Sequence, residues 1–251
     1  MVITLEAPAI QRSADHRYTF QGVTYPGVTG ILAILDKSGP LMAWAARQTA
    51  EAAIHLVAEG ALQTLLSSVG DEGAIKALTS RSSWQRDEAA ALGTEVHRLA
   101  DLVVQGQPTP SMPEPTRRRV LRYAEWWKAS GWKLRLSEAM IVQPDYGYGG
   151  TFDLLAYDRD GRTVLADIKT GKGVYREVAL QLAAYGMADY VAPIGSPVAY
   201  PMPEPDRYCV LHVLEDEVRE VEFAIGDLER QAFLACITLS GWADTMKGKK
   251  L

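Results

Sequence analysis

The chain has 251 residues, of which 47% are hydrophobic and 23% charged, so it can bury a core as one globular domain, with or without an appendage, and is not a disordered protein. Its two cysteines, Cys209 and Cys236, are too few for a disulfide framework, a four-cysteine zinc site or a four-thiolate iron–sulfur cluster, and a reducing compartment is the simplest interpretation. The formal net charge of -5 argues against binding of nucleic acid by bulk electrostatic attraction, although an enzyme needs only a local basic lining and its metal ions supply further positive charge.

The N-terminal segment has no signal-peptide pattern. Residues 1–8 lack a basic region followed by a long apolar stretch, and no later segment approaches the roughly 18 uninterrupted apolar residues of a membrane span. We therefore expect a cytoplasmic protein that does not associate with membranes.

The first half of the chain is predicted to hold a β-hairpin followed by helices. β-forming residues flank the turn residues Gln21 and Gly22, and the segments after Pro26 have helical character. We expect this N-terminal hairpin and helical cap to occupy residues 1–82. Its predicted parts are the hairpin over residues 18–25, a short helix capped by Thr29 and ending at Leu35, a helix from Pro40 toward Glu59, and shorter helical pieces to Leu78.

The remaining residues, 83–251, are predicted to form the core of the protein. Helices are expected over Ser83–Val104, where apolar residues recur on one face, and over Pro113–Ser130, which Gly131 ends. The order of elements predicts an α/β, or layered α+β, fold with a central mixed β-sheet flanked by helices. After the two helices, the predicted elements are a meander of strands over 132–142, 147–157 and 163–168, a helix over 174–190, a loop over 193–205, strands over 208–214 and 218–223, and a closing helix over 227–247.

Three residues suited to catalysis lie on two neighbouring predicted strands. Asp153 belongs to one strand, and Asp167 and Lys169 end the next one, across the tight turn at residues 158–161. Two-residue periodicity puts Asp167 and Lys169 on one face, which Asp153 shares if the hairpin register allows it. Carboxylates that hold a hard cation beside an ammonium group suit phosphodiester hydrolysis, whereas an isolated Asp-x-Lys triplet is more often a simple salt bridge.

Polar residues on two predicted helices are candidates for the same site. Gln181 and Tyr185 are four residues apart on the helix after Lys169, so they share a face, which either turns toward the site or forms the edge of an amphipathic helix. His97 and Asp101 have the same spacing on the Ser83–Val104 helix. They form either a metal ligand with its hydrogen-bonding partner or a surface ion pair.

Taken together, these motifs resemble the RecB-type branch of the PD-(D/E)XK nuclease superfamily. The opening segment, from His16 to Trp44, is similar to the N-terminal region of stand-alone phage and prophage nucleases of this type. Phe152 replaces the proline of the eponymous motif. The motifs that carry the resemblance are Gly93-Thr-Glu-Val-His97, Gly150-Thr-Phe-Asp153, Leu165-Ala-Asp167-Ile-Lys169-Thr-Gly171 and Gln181-Leu-Ala-Ala-Tyr185.

The resemblance implies a restriction-endonuclease-like core and a role for each matching residue. It implies that Lys169 is catalytic and that Gln181 and Tyr185 position this lysine or contact the nucleic-acid backbone. Glu138, on the first strand of the meander, is a weaker candidate. The implied ligands of a Mg²⁺ or Mn²⁺ ion are the side chains of His97, Asp153 and Asp167 and the backbone carbonyl of Ile168. No iron–sulfur cluster is expected, because the flanking cysteines of cluster-containing members are missing.

The function implied is metal-dependent hydrolysis of DNA in recombination, repair or phage DNA processing. An exonuclease is expected because the resemblance is to processing enzymes of recombination and repair, and its substrate would be single- or double-stranded DNA with free ends. The chain has no helicase motif, so any helicase or recombination protein would be a separate partner. The alternatives are an endonuclease, a non-catalytic DNA-binding or assembly module on the same fold, and a hydrolase of another phosphoester.

Two sets of side chains have both a functional and a structural interpretation. The tryptophans Trp126, Trp127 and Trp132 either stack on bases or pack in the core. The basic clusters either line the cleft or form solvated surfaces. The basic residues are Arg117, Arg118, Arg119 and Arg122 on the second predicted helix and Lys247, Lys249 and Lys250 in the C-terminal tail.

Overall fold

The computed structural model describes residues 7–36 and 38–246. The basic tail residues Lys247, Lys249 and Lys250 lie outside the described residues. The helices are α1 (Val28–Leu32), α2 (Ser38–Ala58), α3 (Leu62–Val104), α4 (Thr116–Ser130), α5 (Val178–Gly186) and α6 (Asp227–Met246). The strands are β1 (Ala7–Pro8), β2 (Gln11–Arg12), β3 (Tyr18–Phe20), β4 (Val23–Tyr25), β5 (Lys133–Gln143), β6 (Tyr148–Tyr157), β7 (Thr163–Lys169), β8 (Tyr190–Ala192), β9 (Val198–Pro201), β10 (Arg207–Val213) and β11 (Val218–Phe223).

The chain divides into two compact units. The sheet unit contains the described parts of residues 1–35 and 95–251, and the helical unit contains residues 36–94. The sequence had grouped the N-terminal hairpin with the helices of residues 1–82. In the structure the hairpin belongs to the sheet unit, because its apolar side chains contact strands β5, β8 and β9.

The helical unit contains α2 and the greater part of α3. Pro40 is tolerated in the first turn of α2 because the N–H that proline lacks has no helical partner there. The sequence predicted separate helical pieces to Leu78 and a new helix from Ser83. In the structure α3 runs through this stretch without interruption, because residues 85–92 are mostly strong helix formers; only Gly70, with φ 71°, departs from helical geometry.

The core of the sheet unit is a mixed sheet of eight described strands in the order β1-β9-β8-β5-β6-β7-β10-β11. The described pairs are antiparallel except β7 and β10, which run parallel. The predicted meander is confirmed: β5 pairs with β6, and β6 pairs with β7 across the turn after Tyr157. The chain reaches the parallel strand β10 only after α5 and the β8–β9 hairpin, since parallel strands require a crossover connection. The predicted mixed sheet flanked by helices is therefore confirmed.

One side of the sheet differs from the prediction. The helix predicted over 174–190 is shorter, because α5 ends at Gly186 and Tyr190–Ala192 forms β8, which pairs with β5. The predicted loop over 193–205 contains β9, which lies between β8 and β1. These short strands have little signal of their own and are stabilised by pairing with distant residues.

Both faces of β5 are covered, and by different elements. Met140 and Val142 pack against the β2-β3-β4 sheet, whereas Ala139 and Ile141 belong to the core formed with α1, α5 and α6. The side chains of a strand alternate between its two faces, which explains this division. In the N-terminal hairpin, the turn residues have φ 50° and 80°, as a two-residue hairpin turn requires, so the predicted hairpin is confirmed.

The entry to α1 and the start of β6 both involve close backbone contacts. Thr29 does not cap α1: the helix begins at Val28, and Gly27 is its N-terminal cap, whose carbonyl accepts the N–H of Ile31 at 3.0 Å. On β6, a Cβ atom at Gly150 would lie 2.8 Å from the Tyr185 ring. Gly150 therefore allows Tyr185 to approach the sheet closely. No helix in the described part of the chain is both long enough and apolar enough to span a membrane.

Candidate metal and catalytic site

Four elements of the sheet unit bring the predicted site residues together. His97 lies near the C-terminal end of α3, Asp153 on β6, Asp167 and Lys169 at the end of β7, and Gln181 on α5. Each of these residues contacts at least one other member of the group or its immediate neighbour. The site therefore lies where β6 and β7 meet α3, which precedes them in the chain, and α5, which follows them.

Asp153 lies next to the end of the described ladder between β6 and β7. Leu154 pairs with Ala166, and beyond this pair the Asp153 carboxylate accepts a hydrogen bond from the backbone N–H of Ile168, at 2.6 Å from Oδ2. The carboxylate thus takes the place of a backbone acceptor. Asp153 is thereby held in position next to Asp167, and the predicted ligand residue Ile168 lies beside it.

His97, Glu138 and Asp153 form a compact group of potential metal ligands. His97 Nδ1 is 3.3 Å from Asp153 Oδ1, and one ligand atom from each of the three residues lies within 4.8 Å of the others. Glu138 has a positive φ of 46°, which is rare for a residue other than glycine. One imidazole nitrogen and carboxylate oxygens are suitable ligands for Mn²⁺, and the oxygens also suit Mg²⁺.

The charges in this group depend on one another. Burial alone would lower the pKa of His97, but the Asp153 carboxylate outweighs it and raises the pKa to about 9. Burial and the negative charge of Asp153 raise the pKa of Glu138 to about 7. Burial alone would raise the pKa of Asp153, but the imidazolium of His97 and the backbone N–H of Ile168 lower it. His97 and Asp153 thus form an ion pair beside the carboxyl group of Glu138, which has a high proton affinity.

The second part of the site is a chain of polar contacts through Lys169. Its Nζ is 2.7 Å from Asp167 Oδ2 and donates a hydrogen bond to Gln181 Oε1 at 3.3 Å. Gln181 Nε2 in turn donates to the Tyr185 hydroxyl at 2.8 Å. The i, i+4 spacing of Gln181 and Tyr185 therefore turns both side chains toward the lysine. Both interpretations of this helix therefore apply. Gln181 contacts the site residue Lys169, and Tyr185 is buried in the core as in an amphipathic helix.

Asp167 and Lys169 have opposite responses to burial. Burial and the charge of Asp153 raise the pKa of Asp167 to about 6. Burial alone would lower the pKa of Lys169, but the carboxylates of Asp167 and Asp153 raise it, so the lysine is an ammonium ion at neutral pH. Asp167 Oδ2 is buried and accepts no well-directed hydrogen bond, although the ammonium is close. The Lys169 ammonium is the partner of this oxygen, and the donor set that fits a divalent metal is the group of His97, Glu138 and Asp153. Asp167 remains a ligand that the resemblance implies.

Two features of the site were missed or misjudged in the sequence. Asp101 was a possible partner of His97, but its carboxylate accepts a hydrogen bond from Gln105 at 2.7 Å, whereas His97 pairs with Asp153. Glu138 was a candidate only because of the resemblance. It comes after a β-bulge in β5 that no local sequence pattern predicts. The sequence signal that located the site was the position of Asp153 and Asp167 on the two strands that flank one tight turn.

The N-terminal hairpin also contributes polar groups close to the site. Arg12 Nη1 donates to Thr151 Oγ1 at 3.3 Å, and the Tyr18 hydroxyl is 2.9 Å from the same oxygen. Thr151 lies two residues before Asp153 on β6 and opposite Met140 on β5. Nothing in the order of residues 11–18 indicated this position, since only tertiary packing brings the hairpin to β6.

The basic cluster on α4 has the properties of a solvated surface. Arg117 and Arg118 pair with Glu114, while Arg119 pairs with Glu215 at 3.0 Å. Arg122 and Glu125 form a further pair on the same helix, 2.7 Å apart. Carboxylates thus neutralise these guanidinium groups, which favours the structural interpretation over a nucleic-acid lining.

The tryptophans of α4 and its C-terminal loop pack against one another. Trp126 lies against Tyr123, Trp127 and Trp132 with ring centroids 5.8, 6.3 and 5.1 Å away, and its indole N–H donates to Glu220 of β11 at 3.2 Å. These contacts favour the packing interpretation over base stacking.

Comparisons with known proteins give no relative. No protein-family model matches the chain, and no curated protein is significantly similar to it. The geometry and chemistry of the site therefore carry the functional conclusion.

Proposed function

We propose that this protein is a divalent-metal-dependent nuclease with a restriction-endonuclease-like core, similar to the RecB-type branch of the PD-(D/E)XK superfamily. The observation that supports this most strongly is the meeting of all its ordered motifs at one site: His97 with Asp153, and Asp167 with Lys169 and Gln181. The His97 motif is far from the other three in the chain, so its chance occurrence would not bring it to the same site.

The acidic residues and the histidine would hold Mg²⁺ or Mn²⁺ in this site. A divalent ion bound there polarises a phosphodiester, lowers the pKa of water and stabilises the charge that develops on the leaving oxygen. The ligands would be Asp153, Asp167 and His97 with the carbonyl of Ile168, and the position of Glu138 beside His97 and Asp153 supports this weaker candidate as a further ligand. The Ile168 N–H keeps Asp153 oriented for this role.

Lys169 would assist the attack of water on phosphorus. Its ammonium is held between Asp167 and Gln181, so it can donate a hydrogen bond to the attacking water or to a phosphate oxygen. A unit charge at 4 Å contributes about 4 kcal/mol in a medium of effective dielectric 20, before desolvation. Gln181 and Tyr185 position the lysine, because Tyr185 accepts the hydrogen bond that orients the Gln181 amide.

An exonuclease acting on DNA with free ends is the favoured form of this proposal. It rests on the resemblance to enzymes that process DNA in recombination and repair, and it makes a helicase or recombination protein a plausible separate partner. A stand-alone phage or prophage nuclease without an iron–sulfur cluster fits the same resemblance. Cutting of closed circular DNA would instead assign an endonuclease.

The test is cleavage of end-labelled linear and closed circular DNA, single- and double-stranded, with Mg²⁺, Mn²⁺ or EDTA. We expect metal-dependent loss of linear DNA, and Lys169→Ala should reduce the rate by about 10²-fold or more, as for removal of a group that stabilises developing charge. Lys128→Ala, which removes an exposed lysine of α4, is the matched control and should keep the full rate.

Three results would contradict the proposal. Full metal-dependent cleavage by Lys169→Ala would remove the mechanism assigned to that lysine. Tight DNA binding without cleavage in any metal would instead assign a non-catalytic binding or assembly module. Cleavage of a simple nucleotide ester but not of polynucleotide would indicate a hydrolase of another phosphoester.

A further inference from the structure

The segment that joins β7 to α5, residues 170–177, begins and ends at the candidate site. We call it the 170–177 loop. It follows Lys169 directly and leads into α5, whose Gln181 accepts a hydrogen bond from Lys169 at 3.3 Å. This bond ties the two ends of the loop together, so the residues of the loop lie beside the ammonium group of Lys169.

The loop is anchored to the sheet unit by a buried histidine. His212 of β10 lies next to Lys169 in the parallel β7–β10 pair, and its Nε2 donates a hydrogen bond to the Gly171 carbonyl at 2.7 Å. His212 is only 5% exposed. At the other end of the loop, Val178 N–H donates to the Tyr175 carbonyl at 3.1 Å. The backbone is therefore held at both ends, while Val174 packs against the core and the side chains of Lys172, Tyr175 and Arg176 are exposed.

Three exposed side chains of the loop form an unusual group. Tyr175 is 66% exposed, and Lys172 and Arg176, which flank it in the sequence, are also exposed. Among residues 7–36 and 38–246, neither of these two cations pairs with a carboxylate and the Tyr175 ring stacks on no other aromatic ring, in contrast to the neutralised arginines of α4 and the packed ring of Trp126.

We infer that the 170–177 loop binds single-stranded nucleic acid, with Tyr175 stacking on an unpaired base and Lys172 and Arg176 contacting the phosphates on either side. An exposed ring between two cations matches the alternation of bases and phosphates along a strand. The faces of bases in a duplex are stacked on each other, so the ring discriminates in favour of unpaired strands. The inference rests on the proposed function only where it concerns cleavage of the bound strand, which would lie beside Lys169. Binding itself requires no cleavage.

Binding of fluorescein-labelled oligonucleotides tests this, measured by anisotropy with the full chain in EDTA and again with the Lys169→Ala chain in Mg²⁺. The ligands are oligo(dT) and an abasic oligomer of the same length, which keeps the phosphates but has no bases to stack. Tyr175→Ala should weaken oligo(dT) binding by about 5- to 150-fold and leave abasic binding unchanged. Tyr175→Phe should bind like the wild type, and Tyr146→Ala removes an exposed tyrosine of another turn as a control.

The cations are tested by the salt dependence of the same measurement. Lys172→Gln and Arg176→Gln should weaken binding of both oligomers, and each should reduce the slope of log affinity against log salt by about 0.7, the value for one lost phosphate contact on a single strand. These effects should be independent of Tyr175.

Several outcomes would overturn the inference. Unchanged oligo(dT) binding by Tyr175→Ala would exclude stacking, and equal losses on both oligomers would indicate a disturbed loop instead. Absence of single-strand binding by the unsubstituted loop in both conditions would also exclude it. Because binding is measured without cleavage, a protein that binds in this way but does not cut DNA would refute the proposed nuclease and not this inference.

Discussion

At the scale of single residues, Glu138 is the weaker candidate that the structure brings next to His97 and Asp153. It has a φ of 46° within β5, a conformation that costs free energy for a residue with a Cβ atom. Such strain persists only where surrounding contacts hold it, and it occurs most often at functional sites. Here the conformation accompanies a carboxylate whose oxygen lies within 4.8 Å of ligand atoms of His97 and Asp153.

Replacement of Glu138 should therefore weaken metal binding. We expect Glu138→Gln to reduce the affinity for Mn²⁺ by at least about 10-fold, because changes to groups that only support the ligands already cost about 10- to 100-fold. Isothermal titration calorimetry measures this directly. Asp101→Asn is the matched control, since the Asp101 carboxylate accepts a hydrogen bond from Gln105.

A different pattern of Mn²⁺ affinities would instead support only the ligands expected from the sequence. If Glu138→Gln binds Mn²⁺ like the wild type while Asp167→Asn does not, the metal is held by Asp153 and Asp167 without Glu138. Both variants should be compared at the same pH, because metal ions bind only deprotonated ligands.

At the scale of secondary-structure elements, the turn between β6 and β7 determines how the strands that carry Asp153 and Asp167 meet. Asp158 in this turn is 6% exposed, and its Oδ1 accepts the backbone N–H groups of Asp160 and Arg162, each at 3.0 Å. Its Oδ2 lies 2.9 Å from the guanidinium groups of both Arg162 and Arg207. Arg207 also pairs with Glu222, so one carboxylate connects the turn to β10 and β11.

Asp158→Asn should lower the free energy of unfolding by about 3 kcal/mol at pH 7, because removing one partner of a buried ion pair leaves the other poorly compensated. Burial alone would raise the pKa of Asp158, but the N–H groups and the guanidinium of Arg207 lower it below its ordinary 3.8. The stabilisation is therefore present above about pH 3.8 and is lost as the pH falls through the lower, folded-state pKa.

Urea denaturation at several pH values checks this prediction. The difference in unfolding free energy between the wild type and Asp158→Asn should be constant from about pH 5 to 8 and should shrink below about pH 3.8. Asp160→Asn, at a side chain that is 71% exposed, should change stability by less than about 1 kcal/mol. A difference that does not depend on pH would show that shape, and not charge, accounts for the effect.

At the scale of the whole molecule, the candidate metal ligands all belong to the sheet unit. His97 comes from the helix before the sheet, and Glu138, Asp153 and Asp167 come from three neighbouring strands. A metal ion bound by all four would link α3 to the centre of the sheet. Such an ion binds the folded site and not the separated segments, so it stabilises this unit by mass action.

Mn²⁺ should therefore raise the melting temperature of the sheet unit. At a concentration 100 times its dissociation constant, the ion adds about 2.7 kcal/mol, or roughly 5–10 °C for a unit of this size. Differential scanning calorimetry with Mn²⁺ and then EDTA measures the shift and its reversal. If the helical unit melts separately, its transition should not move. His97→Gln should remove most of the shift, and an equal shift in that variant would contradict the assigned site.

The sequence by itself determined the parts of the molecule that depend on neighbouring residues. The turn at Gln21 and Gly22, the β5–β6–β7 meander and the end of α4 at Gly131 follow from turn chemistry, two-residue periodicity and the left-handed glycine, which has φ 69°. The same local rules placed Asp153 and Asp167 on paired strands. For these features, the interacting residues lie within one hairpin or one helix end.

Only the tertiary structure decided the features that join distant segments. The short strands β8 and β9 form by pairing with the distant strands β5 and β1, and the conformation of Glu138 that brings it to His97 and Asp153 has no local signature. The approach of Arg12 to Thr151 spans 139 residues of the chain. The physical reason is that such contacts are selected by the packing of the whole sheet unit, which overrides the weak preferences of short segments.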